Sequence, residues 1–367
     1  MYITMSIFIF IIVLLLLVLV HEFGHFIVAK KAGIRVDEFA FGFPPKIWSI
    51  KKGETTYALN ALPLGGYVKI YGENPDDVTE GSDRERSFVA KPRIIQAMVI
   101  VAGIFFNLLF AWMLFAGALM VGVPAPADGG EGYPVKDIQL MVTAAEENSP
   151  ADHAGLRSGD ILKSLSDGAK VTEVTSAEGV IAFISPREGT PITLTYERNG
   201  KTEQTSVTPR WGIVPDAAAI GIYMDPIGTL KLPLHAALWV GLKKTYQFTV
   251  LTAVELSKFF MSAVRGNSDF SQVTGPVGIV NAVSDAAGVG FSNLVLFTAL
   301  ISINLAIINI IPFPALDGGR LLFIAIEGII RRPIRPRVAN AFNVVGFAAL
   351  MLLMVAVTYH DITKLMH

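Results

Sequence analysis

Ile7-Phe-Ile-Phe-Ile-Ile-Val-Leu-Leu-Leu-Leu-Val-Leu-Val20, followed at once by His21-Glu22-Phe23-Gly24-His25, joins an uninterrupted apolar run to a metal-ligating pattern. On a helix, positions i and i+4 share a face, so His21 and His25 can aim ring nitrogens at one ion while Glu22 stands beside them to activate water. The run is long enough to enter a bilayer. Val20 lies about 24 Å along a helix that starts at Thr4, and Lys30 lies about 13 Å beyond His21, at 1.5 Å per residue. Metal chemistry at this position therefore belongs inside the hydrocarbon zone, below the headgroups that Lys30 and Lys31 reach. Water would need a protein-lined cavity to get there.

The rest of the chain fits that surrounding. Of 367 residues, 52% are hydrophobic and 17% charged, with a mean hydropathy of +0.52, which is too apolar for an ordinary soluble protein. There is no cysteine, so a disulfide framework, a thiolate zinc site and cysteine catalysis are excluded. The net charge of −1 excludes nothing, but its distribution is informative. Residues 30–93 carry 11 Lys/Arg, whereas residues 123–234 carry 9 against 15 Asp/Glu. By the positive-inside rule the first loop is cytoplasmic and the second is outside.

Four spans are expected: residues 1–30, 94–122, the apolar part of 291–330, and 338–358, with Arg331, Arg332, Arg335 and Arg337 in the last cytoplasmic turn. Four crossings put both termini outside. The first span lacks a basic leader and a small-residue cleavage site, so it is read as retained. Residues 31–93 form a cytoplasmic, membrane-associated loop. Residues 136–209 contain short β-rich runs such as Ile192-Thr-Leu-Thr-Tyr196 and form a compact outer domain. Residues 235–262 could be counted as another span. Lys243, Lys244, Gln247, Glu255 and Lys258, however, fall within about 120° on a helical projection, which suits a helix lying in the interface. No repeat, low-complexity tract or basic patch interleaved with aromatics occurs, so nucleic acid is not an expected partner.

A catalytic zinc takes three protein ligands and leaves a position open. His153, His235, His360 and His367 all fall outside the membrane or at its outer edge. Asp317 lies near the inner end of the third span, in Asn309-Ile-Ile-Pro-Phe-Pro-Ala-Leu-Asp-Gly318, where two prolines break the helix. In a soluble loop Asp317 would be a turn or cap residue; here it supplies the missing ligand. Zinc on His21, His25 and Asp317 would bring the pKa of bound water to about 7. Glu22 would serve as general base. Asn309 is either a hydrogen-bonding group for substrate backbone or a polar contact between helices.

These residues resemble the site-2 proteases, in the bacterial regulator-of-sigma-E protease branch that cleaves membrane-bound anti-sigma factors. The family's HExxH stands in the first span, and its NxxPxPxLDG pattern is matched at Asn309, Pro312, Pro314, Leu316, Asp317 and Gly318. The resemblance covers nearly the whole chain, including Gly65-Gly66-Tyr67-Val68 and Gly275-Pro276-Val277-Gly278. Ser149-Pro-Ala-Asp-His-Ala-Gly-Leu-Arg-Ser-Gly-Asp-Ile161 is similar to the turn and helix of the family's PDZ domains, of which this chain would have one.

The resemblance implies a multi-span α-helical membrane protein with an inserted small PDZ-like domain and a membrane-associated β-element. It implies that Gly65, Gly66 and Tyr67 pair with unwound substrate, a use of glycine-rich strand that permits close backbone approach. It further implies a bacterial inner membrane location, the active site near the cytoplasmic side, and a PDZ-like domain that senses size or gates substrate. The substrate would be a single-span protein, such as an anti-sigma factor trimmed beforehand by another protease. The alternative from another class is a zinc-containing membrane scaffold that binds partners through its PDZ-like domain. Glu22 speaks against it, because a structural site needs no general base. A transporter fits less well, since intramembrane charges are few and no matching pair of interrupted helices occurs.

Overall fold

The computed structural model describes residues 2–73, 83–129, 132–198, 200–266, 275–332 and 334–366. His367 therefore lies outside the described residues. The chain divides into two units, residues 1–116, 241–287 and 294–367 on one hand, and residues 117–240 and 288–293 on the other.

The first unit opens on helix α1, Tyr2–Lys31, whose apolar length needs no amphipathic face and whose last turn carries Lys30 and Lys31, where cations favour a helix C-terminus. Two long strands follow, β1 at Val36–Lys52 and β2 at Thr55–Ile70. Both bend, so that they make a small four-run sheet. Gly66–Ile70 pairs Val36–Phe41, the same stretch of β1 pairs Thr56–Leu59, and that in turn pairs Lys46–Lys52. The run Gly66–Ile70 is thus one edge of the sheet. On the opposite run, Lys46–Lys52, the side chains of Ile47, Trp48 and Ile50 are 67%, 57% and 52% exposed. Ala29, Ile34, Val36, Ile70, Phe88, Val99 and Ile100 form a buried cluster that fixes the sheet against the C-terminal end of α1 and the N-terminal part of helix α2, Arg93–Val121.

The second unit contains β3 (Val123–Pro126), β4 (Lys136–Ala145), α3 (Pro150–His153), β5 (Ile161–Ser166), β6 (Val171–Glu173), α4 (Ala177–Ile184), β7 (Ile192–Arg198), β8 (Lys201–Val207), β9 (Arg210–Val214), β10 (Ala217–Ala219) and β11 (Ile222–Leu230). The main sheet has the order β3-β11-β4-β5-β7-β8, with β6 paired to β5, and β9 and β10 make a separate ladder. Val142, Leu162, Leu165, Val180, Ile192 and Leu194, none more than 2% exposed, fill the core between this sheet and α4. The domain extends beyond the expected limits of 136–209. β3 and β11 pair over Val123–Pro126 and Ile227–Leu230, closing the sheet with strands from both of its flanks. Inside it Asp160, 1% exposed, takes two hydrogen bonds of 2.7 Å from Arg198 and one of 2.8 Å from the Arg157 backbone N–H, so its buried charge is paired.

Helix α5 covers Leu234–Val264, α6 Pro276–Val289, α7 Phe291–Ile310, α8 Asp317–Ile330 and α9 Pro336–Met366. Four helices among the described residues are long and apolar enough to cross a membrane: Met5–Lys31, Arg93–Val121, Phe291–Ile310 and Arg337–Thr363. α5 is not one of them. Phe248 stacks on Phe115 of α2 with ring centroids 5.6 Å apart, and the Thr252 hydroxyl donates to Asn304, well inside α7. This part of α5 runs alongside α2 and α7.

Candidate metal centre

His21 and His25 occupy successive turns of one face of α1, both 7% exposed. Asp317 reaches them from the start of α8. Between Ile310 and Asp317 the prolines stop α7, Ala315 takes a left-handed φ of 68°, and Leu316 is the extended residue that precedes the new helix. Gly318 follows because the return is tight: a Cβ there would collide with the carbonyl oxygens of Ile310 and Ile311. α8 is fastened to the segment after β2 and to the start of α2 by the ion pairs Arg320–Glu73 and Arg93–Glu327, the latter at 2.8 Å. The carboxylate thus has a fixed origin.

The three side chains converge. His21 Nε2 lies 3.0 Å from Asp317 Oδ2, His25 Nε2 lies 3.3 Å from the same oxygen, and the two Nε2 atoms are 3.1 Å apart. A tetrahedral ion with ligands at about 2.0–2.1 Å separates neighbouring ligand atoms by about 3.3–3.4 Å. The observed triangle has nearly that size, and two imidazoles with one carboxylate are a donor set that zinc takes in hydrolases. The residues therefore fit zinc, and among the described residues the group supplies three of the four tetrahedral positions.

The surroundings hold the rings in place. His25 Nδ1 is 2.8 Å from the Val99 carbonyl, and His21 Nδ1 is 3.2 Å from Asn107 Nδ2, both partners being on α2. α2 comes so near at Gly103 that a Cβ there would lie 2.5 Å from His25 Nε2 and 2.8 Å from His21 Cε1. Only glycine fits. Neither Val99, Gly103 nor Asn107 was among the residues expected at the site. The signal available in the sequence is slight, a carboxamide in the middle of an apolar span, one helical turn from a glycine.

Glu22 is half-buried beside His21, His25 and Asp317, with the Val68 backbone N–H near its carboxylate. This amide belongs to the edge run Gly66–Ile70, so that edge of the sheet faces the metal centre. A Cβ at Gly66 would stand 3.8 Å from Glu22 Cγ and 3.9 Å from Val18, and one at Gly65 would be 4.0 Å from Val18. Tyr67 turns the other way, donating a 3.2 Å hydrogen bond to Glu38 and stacking on Phe43. Asn309 sits half-buried in the last turn of α7, with no hydrogen bond from its carboxamide to any described residue. A cavity of about 490 Å³ lined by Leu316, Asp317, Arg320, Asn343, Val344 and Phe347 opens beside the third ligand.

Comparison with known proteins follows the same line. The family model described as Peptidase family M50 matches residues 9–353. A zinc metalloprotease, RasP, of Oceanobacillus iheyensis is 29% identical, with 94% of this chain and 96% of that protein covered. A putative zinc metalloprotease of Clostridium perfringens is 36% identical, with 94% of each covered. The regulator of sigma-W protease RasP of Bacillus subtilis is 30% identical over 94% of this chain and 95% of its own length. Among solved structures, the PDZ domain of an SdrC-like protein from Listeria monocytogenes matches 25% of this chain and 93% of its own, at 22% identity and a TM-score of 0.21.

Proposed function

The chain belongs to peptidase family M50, as a zinc metalloprotease of the site-2 type with several membrane-crossing helices, and from that premise we propose how its residues act and on what. The convergence of His21, His25 and Asp317 beside Glu22 and a free strand edge carries the reading. His21, His25 and Asp317 hold zinc. Bound there, the ion supplies Lewis acidity and makes water a nucleophile near neutral pH.

The chain's own groups do the rest. A helical peptide bond has its N–H and C=O occupied, so it has to be drawn out before attack. The edge run with Gly65, Gly66 and Tyr67 accepts such an extended segment by strand addition, and Gly66 keeps the path to Glu22 clear. Asn309 offers its unused carboxamide to the same backbone. Glu22 takes the proton of the attacking water on its carboxylate and passes it to the leaving amine nitrogen.

The substrate is a transmembrane segment of a single-span protein, and an anti-sigma factor shortened by a prior cleavage fits best, in keeping with the sigma regulator named among the relatives. The charge distribution supports a bacterial inner membrane orientation with both termini and the β-rich, PDZ-like domain outside and the metal centre near the cytoplasmic face. That domain then screens substrates by the size of what they carry outside. The exposed apolar side chains of Ile47, Trp48 and Ile50 suit contact with lipid. Substituting Glu22→Gln tests the assignment: zinc content stays at the wild-type level while cleavage of a membrane-anchored reporter falls about 10²–10⁴-fold. Cleavage at the wild-type rate would remove Glu22 from the role of base.

A further inference from the structure

Asn107 is fully buried (0% exposed) in α2, and its Oδ1 has no hydrogen-bond partner among the described residues, an expensive arrangement in a low-dielectric interior. The same carboxamide puts Nδ2 3.2 Å from His21 Nδ1. Its position is enforced from behind, since the Ser302 hydroxyl of α7 donates a 2.8 Å hydrogen bond to the Asn107 backbone carbonyl. A buried group that is held firmly, with one half unused and the other on a ligand ring, points to a second state in which the unused half is engaged.

The two imidazoles show what that state is. His25 Nδ1 faces the Val99 carbonyl, which can only accept, so Nδ1 carries the proton and Nε2 presents a lone pair to the centre. His21 differs. Nδ2 of Asn107 can only donate, so in the orientation seen His21 Nδ1 is the acceptor, and its proton sits on Nε2, directed at Asp317 Oδ2 at 3.0 Å. That tautomer cannot bind an ion through Nε2. Turning the carboxamide over by 180° exchanges its ends and offers Oδ1 to an Nδ1–H, which is the tautomer a metal at Nε2 requires.

We infer that Asn107 is a positioning residue that selects the metal-competent tautomer of His21, by presenting its Oδ1 to the His21 Nδ1–H as the Val99 carbonyl does for His25. The inference rests on the zinc assignment above, and the two are tested apart. Wild-type enzyme, purified without metal and titrated with zinc against a competing chelator, binds one zinc per chain if the centre is rightly assigned; absence of binding there defeats the assignment itself. Asn107→Leu keeps the size but supplies no acceptor, and zinc affinity falls about 10–100-fold. Asn107→Asp keeps an acceptor at the same place, and affinity stays within about threefold of wild type. If Asn107→Leu does not fold, Asn107→Ala carries the same expectation. Wild-type affinity in the acceptor-free variant, or equal loss in it and in Asn107→Asp, would overturn the inference, because packing alone does not distinguish an oxygen from a methyl.

Discussion

Gly103→Ala places a single methyl where the metal centre has no room for one. The added Cβ would lie 2.5 Å from His25 Nε2, 2.6 Å from His25 Cε1 and 2.8 Å from His21 Cε1. Ordinary contact begins at 3.4 Å, so the shortest of these must open by roughly 0.9 Å. Metal sites tolerate departures of about 0.2 Å in ligand distance, so the rings cannot retreat that far and still share an ion. Moving α2 instead would withdraw the Val99 carbonyl and Asn107 from the same rings. Misplacement of about 1 Å is worth about 10²-fold in rate. The Gly103→Ala enzyme should therefore lose zinc in a chelator titration and cleave a transmembrane reporter at least about 10²-fold more slowly. Gly117→Ala is the internal control, on the same helix with nothing within 4 Å of its Cβ, and it should leave both measurements unchanged. A Gly103→Ala enzyme with full zinc and full activity would show that α2 does not press on the rings, and the account of how they are held would fail.

Two further outcomes can be checked. A Cβ at Gly66 would lie 2.9 Å from the Ala40 backbone carbonyl and 3.8 Å from Glu22 Cγ, so Gly66→Val displaces the strand edge from β1 and crowds the side facing Glu22; cleavage should drop by about 10–100-fold with zinc content intact, and loss of zinc together with activity would mean that the strand supports the centre rather than the substrate. Asp167 is held at about 2, first by the Lys170 backbone N–H and then by Arg187. Since the folded value lies below the ordinary carboxylate range, its contribution to stability is complete above about pH 4 and disappears as pH falls through about 2. The melting difference between wild type and Asp167→Asn should shrink between pH 4 and pH 2, and a constant difference over that interval would refute the linkage.

How much of this could be read beforehand depends on how local the information is. The spans and the HExxH face follow from residues a few positions apart, so apolar length and helical period suffice. Asp317 was reached by chemistry, as the acidic group at the right depth beside a broken helix. The domain edges were not legible, because β3 and β11 earn their place by pairing across about a hundred residues and have no strong alternation of their own. Gly103 and Asn107 escaped for a different reason. Their importance lies in what another helix brings to within 3.2 Å of them, and nothing in an apolar stretch of α2 announces its neighbour.

His21 and Asp317 stand 296 positions apart. Synthesis proceeds from the amino end, so the imidazole pair enters the bilayer long before the carboxylate leaves the ribosome. On the assignment proposed, a partly made chain has a general base and half a cage but no hydrolytic power, and the same holds for any fragment cut short ahead of α8. The enzyme is born inert and gains the ability to cut membrane proteins only when its last quarter has been built and inserted.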